Sequence, residues 1–264
     1  MSSYAIRDSA TMLRRNLLHV VRYPSMTVGV LLIPVFMMLL FRYAFGATLG
    51  AGIGTGTGGY INYLTPGIIV LAVSSASVST AVAVNTDMTE GIINRFRTMA
   101  IARVSVLTGH VVGSVIQTVA GAVIVTGLAL AVGFRPTAGP AGWLGAIGLV
   151  VLLAFACTWV SVALGLLSPN PQGASNSPLP LALLPFLGST FVPAQAMAPG
   201  LRWFAEYQPF TPVIDTLRSL LLGTPAGDKP AIACAWCAGL GVAGYLSSRA
   251  LFNRGANRGA GHSQ

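Results

Sequence analysis

Charged side chains are scarce in this chain of 264 residues, of which only 8% are Asp, Glu, Lys or Arg. A soluble domain usually carries about 25% charged residues, so this chain has too few polar groups to cover a surface exposed to water. Apolar residues make up 54% of the sequence, and the mean hydropathy is +0.73. Several apolar runs approach or exceed the roughly 20 residues that cross a bilayer as a helix. The composition therefore predicts an all-α membrane protein.

Acidic residues, lysine and histidine are also few, and their scarcity disfavours several function classes. None of the six acidic residues falls within an apolar run, whereas proton or sodium coupling usually needs ionisable groups inside the membrane. The one lysine, Lys229, precedes a proline, so the chain lacks the G-x-x-x-x-G-K-[ST] sequence that binds ATP phosphates. The histidines lie far apart, and neither H-E-x-x-H nor G-x-S-x-G is present. A secondary transporter of a hydrophobic solute and an intramembrane lipid-modifying enzyme remain as the alternatives.

Two short motifs that resemble ligand-binding sequences are better explained as parts of a membrane helix and of a loop. Cys234 and Cys237 have C-x-x-C spacing, but no second pair or neighbouring histidines complete a zinc site, so they are predicted to be small apolar residues of a membrane helix. The glycines from Gly54 to Gly59 have G-x-G-x-x-G spacing. Because they join two apolar runs rather than a strand and a helix, a flexible extramembrane loop is predicted instead of a dinucleotide site.

The apolar runs predict one transmembrane domain over residues 1–264. Residues 1–26 place apolar residues within an arc of about 100°, opposite several arginines, which is typical of an interfacial amphipathic helix. Six spans are predicted at 27–46, 61–84, 104–132, 143–167, 179–192 and 231–250. Residues 193–223 are too broken to span, so two short re-entrant or outer interfacial helices are expected there. Residues 251–264 are expected to form a disordered cytoplasmic tail.

Basic residues set the expected orientation. With six spans and both termini in the cytoplasm, ten of the fifteen basic residues fall on the cytoplasmic side, as the positive-inside rule requires. These ten are Arg7, Arg14, Arg15, Arg22, Arg95, Arg97, Arg103, Arg249, Arg254 and Arg258. Because basic residues lie beside apolar spans rather than in one patch, we expect membrane lipids, and no nucleic acid, as partners.

A charged segment, residues 85–103, interrupts the apolar sequence between the second and third predicted spans. At the helical period its apolar residues, Ile92, Ile93, Phe96, Met99 and Ala100, cover an arc of about 120°. The segment is therefore predicted to be a short cytoplasmic amphipathic helix. It is either a turn whose arginines set topology or a helix that docks onto a soluble partner.

Two segments carry a family resemblance. DMTEGIINRFRTMAIAR (87–103) resembles the first cytoplasmic loop of type-2 ABC exporter permeases, in particular the daunorubicin/doxorubicin-resistance branch, where an acidic residue and Glu/Lys-Gly-Ile precede Arg-Phe-Arg. LRWFAEYQPFTPVIDTLRSLLLG (201–223) is similar to the family segment before the last span. The resemblance covers essentially the whole chain. One departure is Met99-Ala100, where many relatives have Leu-Pro, which leaves the length of the coupling helix open.

The resemblance implies a non-catalytic permease subunit of an ABC exporter that moves a lipophilic drug, antibiotic or lipid out across the bacterial cytoplasmic membrane. ATP and Mg would bind two copies of a separate ATP-binding subunit, and a second permease, either this chain or a related one, would complete the path. No cofactor, metal or catalytic residue is expected in this chain. Its implied coupling residues are Asp87, Glu90, Gly91, Ile92, Arg95, Phe96, Arg97 and Arg103.

The second segment is implied to close the path on the outside. Its implied residues are Arg202, Trp203, Phe204, Glu206, Tyr207, Pro209, Phe210, Asp215 and Arg218. If the segment is helical, the spacing lets Arg202 pair with Glu206 and Asp215 pair with Arg218. Its four aromatic side chains are predicted to lie at the outer headgroup level.

Overall fold

A computed structural model describes residues 24–89 and 103–260, and within them the side chains at 24–28, 30, 57, 103–110 and 253–260 are left out. Every regular element in these residues is a helix, which confirms the predicted all-α class. The α-helices are α1 (Pro24–Tyr43), α2 (Gly46–Gly52), α3 (Gly56–Thr89), α4 (Arg103–Val132), α5 (Pro140–Leu167), α6 (Pro171–Asn176), α7 (Leu179–Leu183), α8 (Pro199–Tyr207), α9 (Phe210–Leu222) and α10 (Lys229–Ala260). Short 3-10 helices cover Leu184–Leu187 and Ala194–Ala196. The predicted interfacial helix at 1–26 lies outside the described residues except for its last three.

Four of the described helices are long and apolar enough to cross a membrane, namely Gly58–Thr89, Val111–Val132, Pro140–Leu167 and Lys229–Phe252. A fifth candidate is the bent pair Leu31–Tyr43 and Gly46–Gly52, whose axes differ by 72°. The chain is therefore a multi-pass membrane protein. The sequence predicts six spans, so the described helices account for four of them, or for five with the bent pair.

The glycine-rich stretch after α1 differs from its prediction. Instead of a flexible loop, it forms α2 followed by a tight turn at residues 53–55. Gly54 and Gly56 have φ angles of +73° and +66°, a backbone conformation that glycine adopts at little cost. The helix before this turn and the long helix after it do not form the strand–turn–helix unit that dinucleotide binding requires.

Helix α3 is the centre of the bundle. It packs against α1, α2, α4, α5, α6, α7 and α9, and most of its side chains from Tyr60 to Val73 are buried. Glycines allow the closest approaches around it, because a Cβ on Gly165 of α5 would lie 2.5 Å from the carbonyl oxygen of Ala81. A Cβ on Gly244 of α10 would lie 2.7 Å from the backbone of Trp159 in α5. Small residues therefore set the spacing of α3, α5 and α10, as is common in membrane bundles.

The two ends of the bundle carry different contacts. At one end, which we call the upper end, the loop at 133–139 meets the end of α9, where the backbone N–H groups of Thr137 and Ala138 donate to the carbonyl of Leu221. At the other end, the lower end, the Asn85 side chain of α3 donates to the carbonyl of Ser168 after α5. The C-terminal end of α3 and the starts of α4 and α6 therefore belong to the lower end.

Residues 179–192, predicted as the fifth span, form no continuous helix. Helix α7 is five residues long and is followed by the four-residue 3-10 helix and a turn. Pro185 contributes to this break, because it lacks the N–H group that would continue α7. Pro180 lies in the first turn of α7, where a proline is tolerated. Within the predicted tail, α10 continues past residue 250 to Ala260, and residues 261–264 lie outside the described residues.

We expect Gly165→Ala to destabilise the bundle, because its new Cβ would clash with the backbone of α3 at Ala81. Overpacking of this kind costs about 1–3 kcal/mol. The matched control is Gly148→Ala in the same helix, where a Cβ would meet nothing within 4 Å. The thermal midpoint of each variant in detergent should fall for Gly165→Ala alone, and equal midpoints would contradict the close packing of α3 and α5.

Candidate functional site

The implied outer segment folds into two helices, α8 and α9. Both predicted ion pairs form, with Arg202 Nε 2.8 Å from Glu206 Oε1 and Arg218 Nη1 2.5 Å from Asp215 Oδ1. The first pair is largely exposed, whereas the side chains of the second are only 15% and 16% exposed. The second pair therefore lies where electrostatic interactions are less screened by water.

Asp215 also binds residues that sequence reasoning missed. Its Oδ1 accepts a hydrogen bond from Ser189 Oγ at 2.7 Å, and its Oδ2 lies 2.8 Å from Lys229 Nζ at the start of α10. We call Asp215, Arg218, Lys229, Ser189 and Tyr63 the Asp215 cluster. A lone lysine at the start of the last apolar run was a signal for Lys229, but no local pattern indicated Ser189 or Tyr63.

Arg218 connects three parts of the chain. Its Nη2 donates to the carbonyl of Ser189 at 2.7 Å, and its Nε donates to the carbonyl of Tyr63 in α3 at 3.2 Å. The guanidinium also lies 3.8 Å from the centre of the Tyr63 ring, a favourable cation–π geometry. Tyr63 in turn donates its hydroxyl to the same Ser189 carbonyl at 3.0 Å. One guanidinium thus holds α9, α3 and the turn at Ser189 together.

The turn at Ser189 to Phe191 lies against the upper half of α3. Tyr60 donates its hydroxyl to the carbonyl of Phe191 at 3.0 Å, and the Phe191 ring stacks on Phe41 of α1 with centres 4.1 Å apart. A Cβ on Gly67 would lie 2.6 Å from the Cα of Thr190. The absence of a side chain at Gly67 therefore allows this turn to pack directly on the helix backbone.

A cavity of about 500 Å³ opens beside the Asp215 cluster at the upper end. It lies between α8, α9 and the start of α10, next to the turn. Its lining includes Asp215, Lys229 and Glu206 together with aromatic and apolar side chains, Tyr63, Tyr207, Ile232 and Trp236 among them. The cavity therefore offers charges of both signs next to an apolar wall that belongs to a membrane-spanning helix.

The aromatic residues of the outer segment divide into two groups. Trp203 and Tyr207 are each 66% exposed and Phe204 is 38% exposed on α8, so they are available to a membrane interface. Phe210 is only 1% exposed, so its ring, unlike the other three, is not available to a membrane interface. Pro209 precedes α9, and that helix packs Phe210 into the core against α3, α5 and α10 rather than lying on the surface.

The implied coupling residues lie mostly outside the described residues, namely Glu90, Gly91, Ile92, Arg95, Phe96 and Arg97, together with Met99 and Ala100. Asp87 is a half-buried residue near the end of α3, and Arg103 begins α4. The segment therefore starts from the lower end of α3 and returns into α4.

Asn85 is a polar residue that the sequence reasoning overlooked. It is 3% exposed, and its Nδ2 donates to the carbonyls of Gly165 at 3.0 Å and Ser168 at 2.7 Å. These carbonyls lie at the end of α5, where a helix leaves acceptors without intrahelical partners. Asn85 thus joins α3 to α5 two residues before Asp87, the first of the implied coupling residues. An amide near the end of an apolar span was the available signal.

Comparison with known proteins shows which family the sequence resembles. A family model described as ABC-2 type transporter matches residues 8–222. The daunorubicin resistance ABC transporter permease protein DrrB1 of Streptomyces coeruleorubidus is 28% identical over 257 residues, which cover 96% of this chain and 89% of that protein.

We expect Asp215→Asn to destabilise the upper end. The neutral amide would weaken the pairs with Arg218 and Lys229 and would leave the charge of Arg218, whose side chain is only 15% exposed, without a counter-charge. Losing hydrogen bonds to a charged group costs about 1.5–3 kcal/mol. Glu206→Gln is the matched control, since its exposed pair with Arg202 contributes at most about 1 kcal/mol. Thermal unfolding in detergent should separate the two variants, and equal midpoints would show that the Asp215 cluster does not stabilise the fold.

Proposed function

Since the chain belongs to the ABC-2 type transporter family, we propose that it is the permease subunit of an ATP-driven exporter for a lipophilic drug, antibiotic or lipid. The observation that carries this function is the similarity over nearly the full chain to a daunorubicin resistance permease. An apolar bundle whose described acidic residues lie at its lower end (Asp87) or its upper end (Glu206, Asp215 and Asp228) suits a cargo that is itself apolar.

The energy source is a separate ATP-binding subunit in two copies, which carries ATP and Mg. This chain has no phosphate-binding G-x-x-x-x-G-K-[ST] sequence, so hydrolysis on a partner is the simplest source of work. A second permease, the same chain or a related one, encloses the path. The assembly lies in the bacterial cytoplasmic membrane.

The chain crosses the membrane six times, with both termini in the cytoplasm and the upper end outside. In this topology the predicted fifth span, residues 179–192, crosses without a continuous helix. Contacts at both ends support it, because Ser177 Oγ lies 2.9 Å from Ser168 Oγ at the lower end, while Thr190 packs beside Gly67. Asn85 and Gly67 are about 27 Å apart along α3 at roughly 1.5 Å per residue, which approaches the thickness of a bilayer core.

Coupling acts through residues 87–103. Phe96 and Ile92 anchor this segment in a groove of the ATP-binding subunit, and Glu90, Arg95, Arg97 and Arg103 make polar contacts around them, an arrangement common in small interfaces. Movement of the segment pulls on α3 and α4. Because Asn85 ties α3 to the end of α5, the same movement reaches α5.

Helices α8 and α9 and the turn at Ser189 close the translocation path on the outer side. These elements are joined to α3 by the hydrogen bonds of Arg218 and to α10 by the pair of Asp215 with Lys229. They lie at the opposite end of α3 from residues 87–103, so α3 connects the coupling segment to the elements that close the path.

We expect Phe96→Ala combined with Arg95→Ala to weaken binding of the ATP-binding subunit by roughly tenfold or more, as loss of an interface anchor does. Co-purification of the two subunits and export from cells are the measurements. Thr98→Ala, on the polar face of the same segment, is the control and should retain both. Intact binding and export in the double variant would rule out this docking site.

We expect Asn85→Leu to lower the amount of substrate exported per ATP hydrolysed, while the ATP-binding subunit still binds. The leucine has a similar volume but cannot donate to the two α5 carbonyls. Thr86→Val, at the next position of the same helix, should leave the ratio unchanged. Assembly is checked by co-purification, so that a folding defect is recognised, and an unchanged ratio in an assembled Asn85→Leu complex would exclude the tie as a coupling element.

A further inference from the structure

The cavity beside the Asp215 cluster is continuous with the membrane-spanning surface of α10. Ile232 and Trp236 line the cavity, and both are exposed. They follow Lys229 by about one and two helical turns, so the three side chains lie along one face of α10. The cavity therefore has a charged top and an apolar wall that leads down along a membrane helix.

The charged side chains around the cavity are largely paired. Glu206 is paired with Arg202, and the single negative charge of Asp215 faces both Arg218 and Lys229. Because the charges of the lining residues Glu206, Asp215, Arg218 and Lys229 sum to zero, an anionic group would be bound by one accessible cation and not by a net positive charge of the cavity.

Lys229 is the cation that can reach such a group. The donors of Arg218 are directed to Asp215 and to the carbonyls of Ser189 and Tyr63, and its side chain is only 15% exposed. The Lys229 side chain is 53% exposed, and its ammonium has three N–H donors, of which Asp215 Oδ2 accepts one. The remaining donors can bind a second anionic oxygen in the cavity.

We propose that this cavity binds the phosphate of a membrane phospholipid, with Lys229 Nζ as the donor and the lipid chains lying along Ile232 and Trp236. A lysine ammonium can donate a charge-assisted hydrogen bond to a phosphate oxygen, and tryptophan is enriched at the level where headgroup and chains meet. A free anion would make no use of the apolar wall. The lipid would cover side chains of α10 and join this helix to α8 and α9 at the upper end.

The test uses the full-length chain, delipidated in detergent and titrated with dioleoylphosphatidylglycerol under native mass spectrometry. Dioleoylglycerol, which has the same chains and no phosphate, is the ligand control. We expect Lys229→Gln to weaken phosphatidylglycerol binding by roughly tenfold, as loss of a charge-assisted hydrogen bond would, and Lys229→Arg to restore it. Arg135→Gln removes one positive charge from the same end away from the cavity lining and should bind as the unaltered chain does.

A second measurement does not depend on folding of a Lys229 variant. Phosphatidylglycerol with brominated chains should quench the fluorescence of the unaltered chain, and Trp236→Phe should lose part of that quenching. Equal binding of the two lipids, unchanged binding by Lys229→Gln, or quenching that Trp236→Phe does not alter would each overturn the proposal. Competition by inorganic phosphate at lipid concentrations would identify a free-anion site and overturn it too. Neither assay needs ATP or a partner, so its result is independent of the proposed export.

Discussion

The hydrogen bonds of Arg218 are the interaction on which the upper end of this bundle depends. Buried backbone outside helices must find its hydrogen-bond partners among other protein groups. The turn at Ser189 is such backbone, and its carbonyl accepts from both Arg218 and the Tyr63 hydroxyl. Tyr60 does the same for Phe191. Polar side chains of α3 and α9 thus provide hydrogen bonds to carbonyls of this turn that have no helical partner.

The rest of the bundle uses a different means of association. In an apolar environment helices gain no hydrophobic energy from pairing, so close contact and hydrogen bonds must hold them. Gly165 and Gly244 let α3, α5 and α10 approach to backbone contact, and Asn85 adds hydrogen bonds across α3 and α5. These contacts join α3 and α5 in the lower part of the bundle. A displacement of one of these helices there therefore acts directly on the other.

Local patterns could predict the regular helices but not the long-range contacts. The bounds of the predicted spans 104–132 and 143–167 agree to within three residues with the observed helices Arg103–Val132 and Pro140–Leu167. Apolar length and flanking glycine or proline are local signals, so the sequence could indicate these bounds. Helical spacing also predicted the Asp215 pair with Arg218. It could not find Ser189, since that contact joins residues 26 positions apart. The burial of Phe210 was missed because an aromatic residue near a proline is equally compatible with an interface and with a core. Only the packing of α9 against other helices decides between them.

The contacts of the Asp215 cluster differ in strength, and the difference ranks the links at the upper end. Arg218 is shielded and donates to backbone carbonyls of two segments, and hydrogen bonds to charged groups are worth about 1.5–3 kcal/mol. Lys229 is half exposed, and exposed ion pairs contribute about 1 kcal/mol or less. Among the polar links of α9, those to α3 are therefore stronger than the one to α10. Apolar packing also holds α9 to α10. Ala233 and Cys237 of α10 are buried in the same core as two residues of α9, Ile214 and Leu217. Such packing is non-directional, so small shifts of α10 disturb it less than they would disturb the fixed geometry of the Arg218 hydrogen bonds.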